Sequence, residues 1–184
     1  MLTTIRDFAS VAYAATKKTE GVTLKVAYNE AQAEVAKAAK TAAAVGYLGR
    51  TAGGLNYVNA DACATGKGIQ ITVDSADLGE YGFIVQVDTK DKCLVKVCGR
   101  STPGGTLMTH FNGVGLPAGG LLLQGTVAIG DKGQTCRDIP KALLEKVEFS
   151  SGASSKLCVA AFTKLTEKEA TLLENNATCY VVSF

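Results

Sequence analysis

The sequence is poor in the residues that most catalytic sites use. It has one histidine, His110, and no tryptophan among its 184 residues, whereas cysteine occurs six times. A cysteine nucleophile needs a base beside it, usually histidine, so His110 is the only histidine that could activate any of these thiols. Because no known local signature surrounds a cysteine, we expect His110 to have a packing or hydrogen-bonding role. The alternative is a small cysteine-dependent enzyme that uses His110.

The charge and hydropathy patterns also lack strong features. Lys and Arg total 19 against 17 Asp and Glu, without a run of like charge, so we expect no direct contact with nucleic acid. No apolar run approaches the length of about 18 residues that a membrane span needs, and we expect no membrane partner. The first ten residues, MLTTIRDFAS, lack the apolar segment of a signal peptide. The sequence therefore predicts a protein made in a cytoplasm.

The cysteines have two possible states. In a cytoplasm they would be reduced, buried thiols, but release into an oxidising medium would allow disulfides to form. Spacing alone does not fix the pairing. Cys93 and Cys98 lie within one predicted strand, where alternate side chains face opposite sides, so they cannot readily bind one ion, and we expect no metal. The candidate disulfide residues are Cys63, Cys93, Cys98, Cys136, Cys158 and Cys179.

Glycine-rich segments resemble nucleotide-binding loops only superficially. The segment at 113–118, GVGLPA, has no strand–helix unit around it, and GTVAIGDK at 125–132 lacks the spacing of a phosphate-binding loop. We expect turns at both places and no cofactor. A ligand-binding β module that uses the loop 101–120 is a further alternative.

The periodicity predicts an α+β protein with an N-terminal Ala-rich helical arm at 1–50, a Gly/Ala-rich linker at 51–66, and a mainly antiparallel β-rich body at 67–184. Helices are predicted at 4–17, with Thr3 or Thr4 as the cap, and at about 28–45, with Asn29 as the cap. The second helix carries an apolar stripe with alternating spacings of four and three residues, which is typical of a surface that packs on another helix. We call this set the alanine stripe: Ala31, Val35, Ala38, Ala42 and Val45. The alternative is that this helix lies on its own domain.

Alternating apolar and polar residues predict three antiparallel strands at about 69–74, 81–88 and 93–98, the last two joined by a tight turn at 89–91. The stretch 101–120 interrupts this pattern, and a further strand is predicted at 121–129. The C-terminal block mixes a helix at 138–146, a strand at 157–163, a helix that Thr166 and Glu169 open as a capping box, and a strand at 177–184.

This combination of a helical arm, a β-rich body, many small residues and cysteines without a secretory signal resembles the structural and decoration proteins of tailed-bacteriophage virions. The resemblance is one of architecture. It implies a non-enzymatic homo-oligomer, made in the host cytoplasm, that coats, cements or extends a particle together with other particle proteins. It also implies that the alanine stripe makes subunit contacts and that some cysteines form bridges after release from the host.

Overall fold

The computed structural model describes residues 1–116, 119–131, 139–150, 157–162, 165–176 and 180–184, and it confirms the α+β class. None of the helices within these ranges is long and apolar enough to cross a membrane. The elements, in chain order, are α1 (Leu2–Thr16), β1 (Thr23–Asn29), a 3₁₀ helix (Glu30–Val35), α2 (Ala36–Leu48), α3 (Ala60–Gly66), β2 (Gln70–Ala76), β3 (Phe83–Asp88), β4 (Cys93–Thr102), β5 (Gly105–Phe111), β6 (Val114–Gly115), β7 (Leu121–Leu122), β8 (Thr126–Asp131), a second 3₁₀ helix (Lys141–Lys146), β9 (Val147–Ser150), β10 (Leu157–Phe162), α4 (Glu167–Asn176) and β11 (Tyr180–Ser183).

Helix α1 is the central helix of the molecule. Ile5, Phe8 and Val11 are fully buried, and so are Ala9 and Ala12 on neighbouring positions around the helix. A helix that is buried on most of its circumference lies within a core. Accordingly, α1 contacts α2, strands β3, β4 and β5, and strand β11 of the second sheet.

The ends of α1 differ from the prediction. Met1 occupies the N-cap position and makes no side-chain capping bond, so neither predicted threonine caps the helix. The helix ends at Lys17, which takes a left-handed conformation with φ 50°, and its amide donates to the carbonyl of Tyr13. Gly21, the predicted terminator, lies in the turn that leads into β1.

The predicted helix over 28–45 is wrong before Ala36, since residues 28 and 29 belong to β1 and residues 30–35 form a 3₁₀ helix. In β1, which covers Thr23–Asn29, Leu24, Val26 and Tyr28 are buried on alternate positions, as expected of a strand. The side chain of Asn29 accepts a 3.3 Å hydrogen bond from the Ala31 amide, and it therefore caps the 3₁₀ helix instead of α2. The α-helical part begins only at Ala36.

The predicted boundaries at residues 50 and 66 do not separate domains. Strand β1 lies between β2 and β3, so the segment 1–50 supplies an internal strand of the main sheet. One hydrophobic cluster joins residues from α1, α2, α3 and both sheets. Residues 60–66 of the predicted linker form α3, which packs on α2. The helices at the N-terminus are thus part of the body.

The main sheet has the order β2-β1-β3-β4-β5-β6, with β7 also paired to β5. The predicted hairpin between β3 and β4 is confirmed, and the Thr89 amide donates a 2.9 Å hydrogen bond to the Lys92 carbonyl across its turn. Two expectations fail. Strand β2 pairs in parallel with β1 and not with β3, and residues 101–111 of the stretch 101–120 continue the sheet through a β4–β5 hairpin.

The second sheet has the order β11-β8-β10-β9. Successive side chains along its strands face two different hydrophobic clusters. Val127 and Ile129 of β8 face the main cluster, whereas Ala128 faces a smaller cluster that contains Leu173 of α4. The predicted capping box of α4 is confirmed, because the Thr166 amide donates to Glu169 Oε2 at 2.9 Å and the Glu169 amide donates to Thr166 Oγ1 at 3.4 Å. Residues 141–146 form a 3₁₀ helix where an α-helix was predicted.

Candidate functional site

The helices cover one face of the main sheet, and the opposite face carries the only histidine. We call this second face the open face; Lys25, Ala27, Ile84, Gln86, Lys96 and Cys98 lie on it. Ala27 pairs with Ile84, Ile84 with Cys98, and Cys98 with His110, so one row of side chains crosses four strands. Neighbours in such a row share a face of the sheet. The sheet therefore brings His110 beside Cys98.

His110 belongs to a hydrogen-bond chain that runs from the Tyr81 hydroxyl to the Cys98 carbonyl. Its Nδ1 lies 3.2 Å from Thr109 Oγ1, and its Nε2 lies 3.3 Å from the Tyr81 hydroxyl, whose ring packs edge-on at a centroid distance of 5.1 Å. Thr109 donates its own proton to the Cys98 carbonyl at 3.3 Å. In this arrangement a neutral imidazole that donates from Nδ1 to Thr109 Oγ1 accepts at Nε2 from the Tyr81 hydroxyl. Both ring nitrogens are occupied.

The thiol of Cys98 is held in its neutral form. Only 4% of the residue is exposed, and burial raises the pKa of Cys98 more than the nearby Lys96 lowers it. Burial, together with Cys98 and Glu80, also raises the pKa of Tyr81. A reactive cysteine needs the opposite shift, toward the thiolate. The cluster is a hydrogen-bonded structural unit, and its geometry does not activate Cys98.

The other cysteines also show no activated site in the described part of the chain. Cys63 in α3 and Cys93 at the start of β4 are free thiols, as is Cys98. Burial and then Asp88 raise the pKa of Cys93. Cys136 and Cys179 lie outside the described residues, and only the backbone of Cys158 is described, in β10. Within the described ranges, no three side chains of His, Cys, Asp or Glu converge as metal ligands would.

The alanine stripe is not a single exposed surface. Val35 is 4% exposed and Ala42 is fully buried, both in the chain's own core, while Ala38 and Val45 are half-buried. Ala31 is exposed, but it lies in the 3₁₀ helix and not in α2. The close helical partner that the stripe predicted is α1 of the same chain. Val35 and Ala42 are therefore not available for contacts between subunits.

Strand β2 is the free edge of the main sheet. It pairs with β1 on one side, and no described residue pairs with its other side. Gln70, Thr72, Asp74 and Ser75 are exposed, and Ile71 and Val73 are only half-buried. An unpaired strand edge presents backbone donors and acceptors that can bind another strand. The sequence predicted this strand as antiparallel to its neighbours and gave no sign that it forms a free edge.

A groove of about 510 Å³ runs beside this edge. Consecutive residues 68–72 line it, although their side chains point to alternate faces, so the groove follows the strand's edge and not one of its faces. Lys40 of α2 and Asp61 of α3 also line it. The Oδ1 atom of Asp61 is enclosed and has no hydrogen-bond partner among the described residues.

A second exposed feature is the turn that precedes α3. Val58 is 94% exposed and Tyr57 is 50% exposed at its tip. Asn56 Oδ1 accepts from the Val58 and Asn59 amides at 2.8 and 3.2 Å, and Asn59 Oδ1 accepts from the Asn56 amide at 2.8 Å. Such Asx hydrogen bonds fix the backbone of a turn. The segment NYVN, within the predicted linker 51–66, is the sequence signal for this turn.

No protein-family model matches the chain, and no curated protein is significantly similar to it. A function for this protein therefore rests on the residues and geometry described above.

Proposed function

We propose that this protein is a non-enzymatic structural component of a virion, a capsid decoration or cement protein or another head or tail part, which acts through contacts with copies of itself and with other particle proteins. The free edge of β2 carries the proposal. Over Gln70–Ala76 it has no lysine, no proline and no register shift, which are among the usual means of preventing edge-to-edge pairing, and Asp74 is its one charged residue. A strand edge of this kind is suited to association.

The turn at Asn56–Asn59 supports the same role. A valine exposed to 94% on a backbone that its own asparagines hold in place needs little further ordering when a partner covers it. Binding costs less conformational entropy when a contact surface is preorganised. The turn is therefore suited to contacts with other particle proteins, at a different place from β2.

The chemistry of the open face favours a structural role over catalysis. The His110 nitrogens both have hydrogen-bond partners, and burial keeps the Cys98 thiol protonated. A thiol-dependent enzyme would require a thiolate beside a free base. The Tyr81–His110–Thr109 chain instead ties β4 and β5 to the segment that precedes β3.

Light scattering coupled to size-exclusion chromatography tests the proposal. We expect the average mass of the purified protein to rise with concentration from the low to the high micromolar range, and electron microscopy of the concentrated sample to show regular assemblies. A constant monomer mass over that range, together with an absence of assemblies, would contradict the assembly role. Turnover of a small molecule that is lost with His110→Ala would also contradict it.

A further inference from the structure

We infer that β2 pairs in solution with β2 of a second copy of the chain, antiparallel, with the two-fold axis at Val73. This inference rests on the assembly role proposed above and names the partner and register at one of its surfaces. The two main sheets would then join into one continuous sheet across the axis.

The hydrogen bonds between β1 and β2 show which backbone groups of β2 are free. The Gln70 amide donates to the Val22 carbonyl at 3.2 Å, so Gln70 directs its backbone groups toward β1. These directions alternate along a strand. Ile71, Val73 and Ser75 therefore direct their amides and carbonyls to the outer edge, and no described residue bonds to them.

One antiparallel register satisfies all of these groups. When Val73 faces Val73 of the second copy, Ile71 faces Ser75, and each of these residues exchanges both of its hydrogen bonds with its counterpart. The same register places Thr72 opposite Asp74, the only charged residue of the strand, so that a hydroxyl meets a carboxylate.

The two neighbouring registers are worse. An axis at Asp74 would place two carboxylates directly opposite each other, which is destabilising. An axis at Thr72 would pair Ile71 with Val73 but would leave Ser75 opposite Ile69, whose amide already donates to the Ala64 carbonyl at 3.0 Å. Charge and hydrogen bonding therefore select the axis at Val73.

The side chains and the free space agree with this pairing. Ile71 and Val73 lie on the helix-covered face, where they are half-buried against the main cluster, so a second Val73 would cover apolar surface that is now exposed. The groove along residues 68–72 leaves room for the C-terminal half of the second strand. The far edge of the sheet is less suitable, because β6 and β7, with two residues each, already pair with β5 there.

A pair of seven-residue strands is a small contact. Interfaces that bury less than about 1,200 Å² are typically weak and transient. We therefore expect a reversible dimer that forms at micromolar concentrations in solution. Such a contact would be strengthened where a particle holds many copies side by side.

Substitutions at Thr72 test the pairing without touching the core, because Thr72 is exposed. Thr72→Asp places a carboxylate opposite Asp74 of the second copy at both ends of the interface, and we expect dimerisation about tenfold weaker, recovering at high salt. Thr72→Lys reverses the sign and should tighten the dimer. Thr171→Asp on α4 gives the same charge change on a different element and should have no effect. Sedimentation velocity measures all three.

Ser75→Pro removes an outward amide. Proline is tolerated on an edge strand where its missing N–H faces solvent, so the monomer should keep its circular dichroism spectrum and its dimer should be lost. If Thr72→Asp, Thr72→Lys and Ser75→Pro all associate like the wild type, this inference is wrong while the assembly role stands through another surface. A wild-type chain that stays monomeric and forms no assemblies would overturn both.

Oxidative crosslinking tests the register. In the predicted register, position 72 of one copy lies opposite position 74 of the other in a non-hydrogen-bonded pair, with Cα atoms about 4.5 Å apart, which a disulfide can span. A mixture of Thr72→Cys and Asp74→Cys chains should therefore yield a covalent heterodimer, identified by peptide mapping against a wild-type background. A crosslink formed equally well by Thr72→Cys chains alone would place the axis at Thr72 and overturn the register.

Discussion

The hydroxyl of Ser10 on α1 donates a 2.9 Å hydrogen bond to the carbonyl oxygen of Gly46 on α2. The two helix backbones are so close at this crossing that a Cβ atom on Gly46 would overlap the carbonyl oxygen of Arg6. Small residues on α2, including Ala39, Ala42 and Ala43, are fully buried along the same helix. The small-residue surface of α2 therefore serves the fold of a single chain.

Gly46→Ala should destabilise the protein severely. Neither backbone can move without disturbing a core that lies on both sides of α1, so we expect a loss of about 3 kcal/mol in the free energy of unfolding. Urea denaturation measures it. Gly53→Ala is the matched control, since a Cβ there meets nothing within 4 Å and the loss should be below about 0.5 kcal/mol. Equal stability of the two variants would contradict the close crossing.

Thr106→Val should cost about 2 kcal/mol of stability. The Thr106 hydroxyl donates a 2.6 Å hydrogen bond to Asp7 Oδ2, and both residues are buried at the contact between α1 and β5. Valine keeps the shape but leaves a carboxylate oxygen without its partner. Thr106→Ser retains the hydroxyl and should lose less, about 1 kcal/mol, for the missing methyl group. If Thr106→Val is as stable as Thr106→Ser, the hydrogen bond contributes nothing.

The ionised carboxylate of Asp88 should stabilise the protein at neutral pH, and this contribution should be lost in acid. Burial raises the pKa of Asp88, but 2.7 Å contacts from Lys25 and Gln86 outweigh it, so the pKa lies below its ordinary value of 3.8. A depressed pKa in the folded state gives stability that is fully present above the unfolded pKa, near pH 4, and lost as the pH falls through the folded value.

The urea midpoint of the wild-type protein should therefore be lower below about pH 4 than at pH 7, and the midpoint of Asp88→Asn should decrease less over the same pH range. Asp91→Asn, on the exposed turn between β3 and β4, provides the control and should retain the wild-type acid sensitivity. An unchanged pH profile in Asp88→Asn would show that this carboxylate does not contribute.

Removing His110 should not slow the reaction of Cys98 with a thiol reagent at neutral pH. The Cys98 thiol is buried and protonated, so its labelling depends on exposure and not on a base. Mass spectrometry can follow the labelling of Cys98 and of the exposed Cys93 in the same sample, in wild type and in His110→Ala. A slowing of about tenfold or more at Cys98 alone would instead support a thiol–histidine pair and the enzyme alternative.

Sequence signals predicted the elements that depend on residues close together along the chain. The capping box of Thr166 and Glu169 opens α4, the turn at 89–91 joins β3 to β4, and the apolar period of residues 4–17 forms α1. The same reasoning extended α2 back over the 3₁₀ helix and the last two residues of β1, because Ala- and Glu-rich residues at 30–35 continue a helical pattern that their 3₁₀ turn does not complete. The register of β1 depends on its neighbours β2 and β3, which local patterns do not encode.

The sequence by itself determined the α+β class, most strands of the body and the scarcity of catalytic groups, since composition and periodicity report directly on burial and chemistry. Only the tertiary structure decided that α2 packs on α1 of its own chain, that β1 enters the sheet beside β2, and that β2 is left as the free edge. The physical reason is that a pattern of apolar or unpaired residues shows only that a surface must be covered. What covers it depends on residues that are distant along the chain and that only the fold brings together.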